Sequence, residues 1–191
     1  MFVKKWNIKK ITMWFVTIPQ KKTRRNTKLK TKSLVTNAVV AALYVAVTGV
    51  LAPISFGALQ FRVAEIFNHL IIFNKNYIFG IVSGVFISNL LFSTMVGYDL
   101  IFGVGHSLLS LLIASGLMKR VPNVRLKFFI NSLVFAILSS LIALELYLAF
   151  SVPFWFGYLT VGVGEFGIMI VGAPVMLYLD KKVHFNKRIE V

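Results

Sequence analysis

The chain carries only six acidic residues. Four of them, Glu65, Asp99, Glu145 and Glu165, stand with Arg62 within or at the edge of long apolar runs. An ionisable side chain in hydrocarbon is costly, so it faces a cavity or a charged partner and marks a site. A carboxylate so placed accepts N–H donors from a ligand, and a guanidinium donates to a carbonyl or holds a carboxylate. Glu165 lies 11 residues into the run that starts at Phe154, roughly 16 Å along a helix at 1.5 Å per residue. That depth makes it the one carboxylate expected to be buried near mid-membrane. Tyr158, Gly162, Met169 and Gly172 share its helical face, with the glycines leaving room beside it. A binding role for Glu165 competes with a helix-orienting pair to Arg62. Glu145, 19 residues past Leu126, is expected roughly 28 Å from the inner face by the same rise, near the outer surface.

The remaining polar and aromatic candidates are open to two readings each. Trp155 and Tyr158 stack a flat ligand or belong to an interfacial aromatic belt. Asn89 hydrogen-bonds a ligand or a neighbouring helix. Tyr98 is added beside Asp99 as a residue lining the same outer end. His69 follows Glu65 by four residues, one α-helical face, but two ligands without a third give no metal site; no metal is expected. His106 reads as a hydrogen-bonded packing residue.

These residues need helices to position them, and the composition supplies apolar ones. The chain is 58% hydrophobic, with mean hydropathy +0.81 and no cysteine. Disulfides, thiolate zinc sites and iron–sulfur clusters are excluded. Runs near the 20 residues a spanning helix needs occur at 34–52, 77–96, 100–118, 126–150 and 154–179. A shorter apolar stretch around 65–73 makes a sixth. Lys and Arg gather on the cytoplasmic side of membrane proteins. With six spans and the N-terminus inside, 20 of the 21 basic residues fall inside, Arg62 being the exception. The expected fold is therefore an all-α, integral six-helix membrane bundle with both ends cytoplasmic, in the cell membrane. Residues 1–32 read as a basic arm holding eleven of the basic residues, 33–184 as the transmembrane substrate-binding domain and 185–191 as a cytoplasmic tail. Despite a net charge of +15, the arm's expected partner is anionic lipid and not nucleic acid. The run 11–18 followed by Pro19-Gln20-Lys21 is not read as a secretory signal.

Two stripes of small residues at i, i+4, i+8 permit close helix approach: Ala38, Ala42 and Ala46, and Gly80, Gly84 and Ser88. No phosphate-binding loop of the Gly-x-x-x-x-Gly-Lys-Ser/Thr type occurs, so the chain does not hydrolyse ATP. No His-Glu-x-x-His motif or nucleophile elbow is present, and no enzyme is expected.

Ala52-Pro53-Ile54-Ser55-Phe56-Gly57, Gln60-Phe61-Arg62-Val63 with Glu65, Asp99-Leu100-Ile101-Phe102-Gly103, and Pro153-Phe154-Trp155 with Gly164-Glu165 together resemble the QueT family of queuosine precursor S-components. The resemblance covers about residues 33–184. It implies a six-helix S-component of an energy-coupling factor (ECF) importer that captures a 7-deazaguanine base outside the cell. It further implies a transmembrane T-component and two ABC ATPases as partners, with ATP used by those ATPases and no cofactor in this chain. The stripe Ala38, Ala42, Ala46 resembles the Ala-x-x-x-Ala element that meets the T-component. The basic arm is not part of that pattern. For such a ligand, Glu165 is the expected bidentate acceptor. Arg62 would serve the ring carbonyl or Glu65, and Glu65 or Asp99 would meet a cationic aminomethyl group. An S-component for another vitamin, a stand-alone ion-coupled transporter and, more remotely, a membrane enzyme are the competing readings.

Overall fold

The computed structural model describes residues 20–56 and 61–189. Residues 1–19 of the basic arm, loop positions Gly57 and Gln60, and the last two residues of the tail lie outside the described residues.

The described elements are all helical. Helix α1 runs Gln20–Val50 and ends in a short turn at Ala52–Ser55. A 3-10 helix, Val63–Ile72, leads through a second short 3-10 turn to α2, Ile78–Phe92. After the turn Val96–Tyr98, a π-helical stretch at Asp99–Gly103 opens α3, Val104–Leu117. Then come α4 (Val124–Leu138), α5 (Ser140–Phe150), α6 (Phe154–Val183) and α7 (Phe185–Arg188).

Local chemistry explains several of the boundaries. Asn123 caps α4, its side-chain oxygen accepting from the Arg125 and Leu126 amides. Ser151 adopts a left-handed conformation after α5, and Pro153, whose fixed φ suits a helix start, precedes α6. The Ser139 hydroxyl bonds back to the Ala136 carbonyl at the joint between α4 and α5; such back-bonding bends helices.

Among the described residues, five segments are long and apolar enough to cross a membrane: Thr31–Val50, Lys75–Phe92, Val96–Arg120, Val124–Phe150 and Phe154–Val183. These are the five long runs read from the sequence. The sixth stretch is helical but short. Ten residues of 3-10 helix reach about 20 Å at about 2.0 Å per residue, less than the ~30 Å hydrocarbon core.

The polar side chains point inward and the apolar ones outward, the arrangement a lipid solvent selects. Leu34, Val50, Phe79, Ile101, Val163 and Val171 are among the large hydrophobics on the surface, while Asn68, His69, Asn131 and Glu145 have no exposed surface. Helix α6 packs on α4, α5 and the 3-10 helix, and α1 packs along α2. The α1–α2 contact explains one of the two small-residue stripes. A Cβ on Gly80 would stand 2.7 Å from the Asn37 carbonyl oxygen, and one on Gly84 2.7 Å from the Tyr44 Cβ. The Gly80, Gly84, Ser88 stripe is buried between these helices, whereas Ala38, Ala42 and Ala46 lie on the exposed face of α1.

Candidate ligand-binding site

Arg62, the residue before the 3-10 helix, holds the first part of the site together. Its Nη2 donates to Asp99 Oδ1 at 2.5 Å and its Nη1 to Asn89 Oδ1 at 3.3 Å. Asn89 returns a bond from its Nδ2 to the Asp99 carbonyl at 2.8 Å, and the Ser93 hydroxyl donates to Asp99 Oδ2 at 2.5 Å. The guanidinium also lies over the Phe56 ring, 5.0 Å from its centroid, a cation–π contact. Room for this cluster depends on Gly103 within the π-helical stretch, where a Cβ would come within 2.8 Å of the Asn89 amide nitrogen. Widened π turns inside helices recur at functional positions. Arg62 therefore pairs with Asp99; the alternative pair to Glu165 does not form, nor does a hydrogen bond to Glu65. Asn89 serves neighbouring elements within the protein.

Glu65 is held from two sides. Tyr44 on α1 donates its hydroxyl to Oε1 at 2.8 Å, and the Asn68 amide donates to Oε2. The expectation that Glu65 and His69 share a face is overturned. It assumed 3.6 residues per turn, but the segment is a 3-10 helix with three per turn, so positions i and i+3 eclipse and i+4 is rotated away. His69 turns elsewhere, its Nε2 2.8 Å from the Met169 carbonyl and its Nδ1 3.1 Å from the Asn131 amide nitrogen.

Between these groups lies a narrow cleft, about 20 Å³ in volume, lined by Arg62, Glu65, His106, Ile142, Val161 and Glu165. Glu165 reaches it from α6 and His106 from α3. The His106 Nε2 stands 3.2 Å from the Phe135 carbonyl and 3.6 Å from Glu165 Oε2. It packs as expected but also forms part of the cleft wall. Glu165 is 8% exposed, and among the described residues no donor within 3.5 Å occupies its carboxylate. Glu65, Asp99 and Glu145 are more deeply enclosed within the bundle than Glu165. Glu145 has no exposed area and stands against the carboxyl group of Asp99. The burial comes from α5 packing against the π-helical stretch and α6, which a linear rise along one helix does not capture.

A family model described as QueT transporter matches residues 34–181. A curated protein from Lactococcus lactis subsp. cremoris (strain MG1363), the queuosine precursor transporter QueT, is 37% identical over 169 residues, covering 84% of this chain and 99% of the relative. The chain belongs to the QueT family. No solved structure matches it. The QueT match contains every residue lining the cleft, and it begins after the part of α1 that continues the basic arm.

The aromatic candidates are not drawn into this QueT-family cleft. Trp155 is 71% exposed and packs edge-on against Phe154 and Tyr158. Tyr158 lines a separate apolar groove with Leu133, Ala136, Leu159, Gly162, Val163 and Phe166. Tyr98 is exposed and stacks on Phe102. Aromatic residues placed toward the surface in this way suit the interfaces of a membrane. Sequence reasoning missed Tyr44, Asn68 and Ser93, which hold the cleft's acidic groups, and ranked His106 only as packing. The signal for Tyr44 was available: a tyrosine inside an apolar helix needs a partner for its hydroxyl.

Proposed function

We propose that this QueT-family chain is the substrate-capturing subunit of an ECF importer, binding a 7-deazaguanine queuosine precursor in the cleft around Glu165. The observation that carries the reading is the state of the carboxylates. Glu65 and Asp99 spend their oxygens on Tyr44, Asn68, Arg62 and Ser93, whereas Glu165 faces the cleft with its acceptor capacity unspent. A guanine-like edge presents adjacent N–H donors that one carboxylate accepts together. The curated relative from L. lactis is named for the same class of cargo.

The chain is then a multi-pass protein of the cell membrane with six helical segments and both ends in the cytoplasm, the 3-10 helix being the sixth. It acts as a binding subunit and not as an enzyme. The T-component docks on the exposed Ala38, Ala42, Ala46 face of α1, and two ABC ATPases supply the energy.

Equilibrium binding of 7-deazaguanine precursors to the protein in lipid nanodiscs tests the reading, with riboflavin and biotin as controls. Glu165→Gln should weaken precursor binding by about tenfold or more, the worth of a hydrogen bond to a charged group. A folded mutant with unchanged affinity removes Glu165 from the site. Ligand accumulation by liposomes holding this chain alone would move the function to a stand-alone transporter.

A further inference from the structure

Two side chains on the cleft wall keep acceptor capacity that nothing else in the bundle uses. One is Glu165. The other is His106 on α3, which lines the same cleft and is 3% exposed. Its ring is fixed from one side: Nε2 stands 3.2 Å from the Phe135 carbonyl, and the Phe135 ring meets it edge-on with centroids 5.5 Å apart. A carbonyl oxygen only accepts, so the ring hydrogen is on Nε2. Enclosure favours the uncharged ring, in which the other nitrogen, Nδ1, is an acceptor. Among the described residues Nδ1 has no hydrogen-bond partner. Glu165 Oε2 lies 3.6 Å from Nε2, beyond a hydrogen bond, so the two acceptors stand side by side without engaging each other. The other polar side chains of the cleft are committed, both Arg62 Nη groups to Asp99 and Asn89 and both Glu65 oxygens to Tyr44 and Asn68. The cleft therefore offers adjacent acceptors and is short of donors.

We propose that His106 is a specificity-determining residue whose Nδ1 accepts a hydrogen from the exocyclic amino group of a guanine-type base. The inference rests on the cleft being the ligand site, as proposed above, and adds to it which side chain reads the amino substituent. The edge of such a base carries one ring N–H and two amino hydrogens. One carboxylate accepts the ring N–H and the nearer amino hydrogen together, which leaves the second amino hydrogen directed away from Glu165. A donor enclosed without an acceptor weakens binding, and His106 is the neighbouring side chain with a lone pair to offer. The cleft is narrow, about 20 Å³, so a base seats only by spreading its walls, which brings its edge against the groups they carry. A base without the amino group leaves His106 unanswered.

The test compares 7-deazaguanine with its N2-methyl derivative by calorimetry on the full chain in nanodiscs. The derivative still presents two hydrogens to Glu165 but carries a methyl group where His106 would accept. The wild type should bind 7-deazaguanine about tenfold more tightly than the derivative. His106→Gln keeps an N–H for the Phe135 carbonyl and removes the ring lone pair, so it should bring that preference to within about twofold. A folded His106→Gln that retains the preference overturns the inference and assigns His106 to packing on Phe135. Equal wild-type affinity for the two bases also overturns it while leaving the cleft as the ligand site. Failure of the wild type to bind either base removes the wider reading together with it. Should His106→Gln not fold, nitrogen-15 NMR of the wild type decides. The His106 Nδ1 signal should shift on saturation with 7-deazaguanine, as that of a nitrogen accepting a hydrogen bond, and an unchanged signal refutes the assignment.

Discussion

Arg62 and Asp99 form a buried ion pair, guanidinium to carboxylate at 2.5 Å, with side chains 10% and 1% exposed. They come from elements 37 residues apart and join the start of the 3-10 helix to the π-helical stretch. In a low-dielectric interior, removing one partner strands the other charge, whereas removing both replaces the pair by apolar packing. Arg62→Met should therefore lower stability by about 3–5 kcal/mol. The double variant Arg62→Met with Asp99→Leu should recover a substantial part of that loss. Thermal unfolding in detergent measures both, and a double variant no more stable than the single one would show that the pair's hydrogen bonds to Asn89 and Ser93 matter more than its charges.

The α1–α2 seam has no space for a side chain at Gly84. Its Cβ would meet the Tyr44 Cβ at 2.7 Å, and Tyr44 cannot retreat without releasing Glu65. Gly84→Ala should cost about 1–3 kcal/mol, the range for overpacking a filled interior. Gly116→Ala, with nothing within 4 Å of the added atom, should be neutral or gain up to about 1 kcal/mol from helix propensity. The contrast in unfolding temperature between the two separates packing from propensity.

The apolar spans were legible because membrane helices advertise themselves by length and composition alone, and the five long ones match in position. What the residues do to one another was much less so. The two small-residue stripes share a spacing, and only packing tells that Gly80 and Gly84 face α1 while Ala38, Ala42 and Ala46 face outward. The pairing of Arg62 with Asp99 depends on which elements meet, and local pattern does not carry that information. Glu65 and His69 were placed together by a period the segment does not have. That Glu145 is enclosed was not legible, because its burial is made by neighbouring elements. That Glu165 would be buried was legible, since an acid deep in an apolar run must turn inward, and it lines the cleft.

The chain's last described segment closes one end of the bundle. Asn74 Nδ2 donates to the Ile189 carbonyl at 2.8 Å, the Tyr77 hydroxyl to the Phe185 carbonyl at 2.9 Å, and Asp180 Oδ1 accepts from the Phe185 amide at 2.9 Å. Ile189 is 1% exposed and Phe185 packs on the Phe73 and Tyr77 rings. Ending the chain at His184 removes both apolar side chains from this cluster. At about 1.5–3 kcal/mol for each fully buried side chain, and less for the partly buried Phe185, the truncated protein should lose about 2–4 kcal/mol. Its affinity for ligand should be unchanged, because the cleft residues lie on other segments. Unfolding and binding measured on the same preparation check this; an equally stable truncation would show the tail to be detachable.

The outward face of α1 gives a prediction that separates capture from delivery. Ala38, Ala42 and Ala46 are exposed, and the neighbouring Leu34, Val39 and Leu43 are exposed too, while the buried face of the same helix carries Asn37, Val40, Ala41, Tyr44 and Thr48. A bulky residue on the alanine stripe therefore disturbs nothing inside the bundle, yet it prevents the close backbone approach that small residues allow between membrane helices. Ala42→Trp should leave unfolding temperature and ligand affinity at wild-type values. It should abolish co-purification with the T-component and, in proteoliposomes carrying the complete importer, reduce ATP-driven uptake to background. Loss of uptake with intact ligand binding places the transport defect at the subunit contact. Full uptake by Ala42→Trp would move the T-component to another face of the bundle, because an indole cannot be accommodated where two helices meet through alanines.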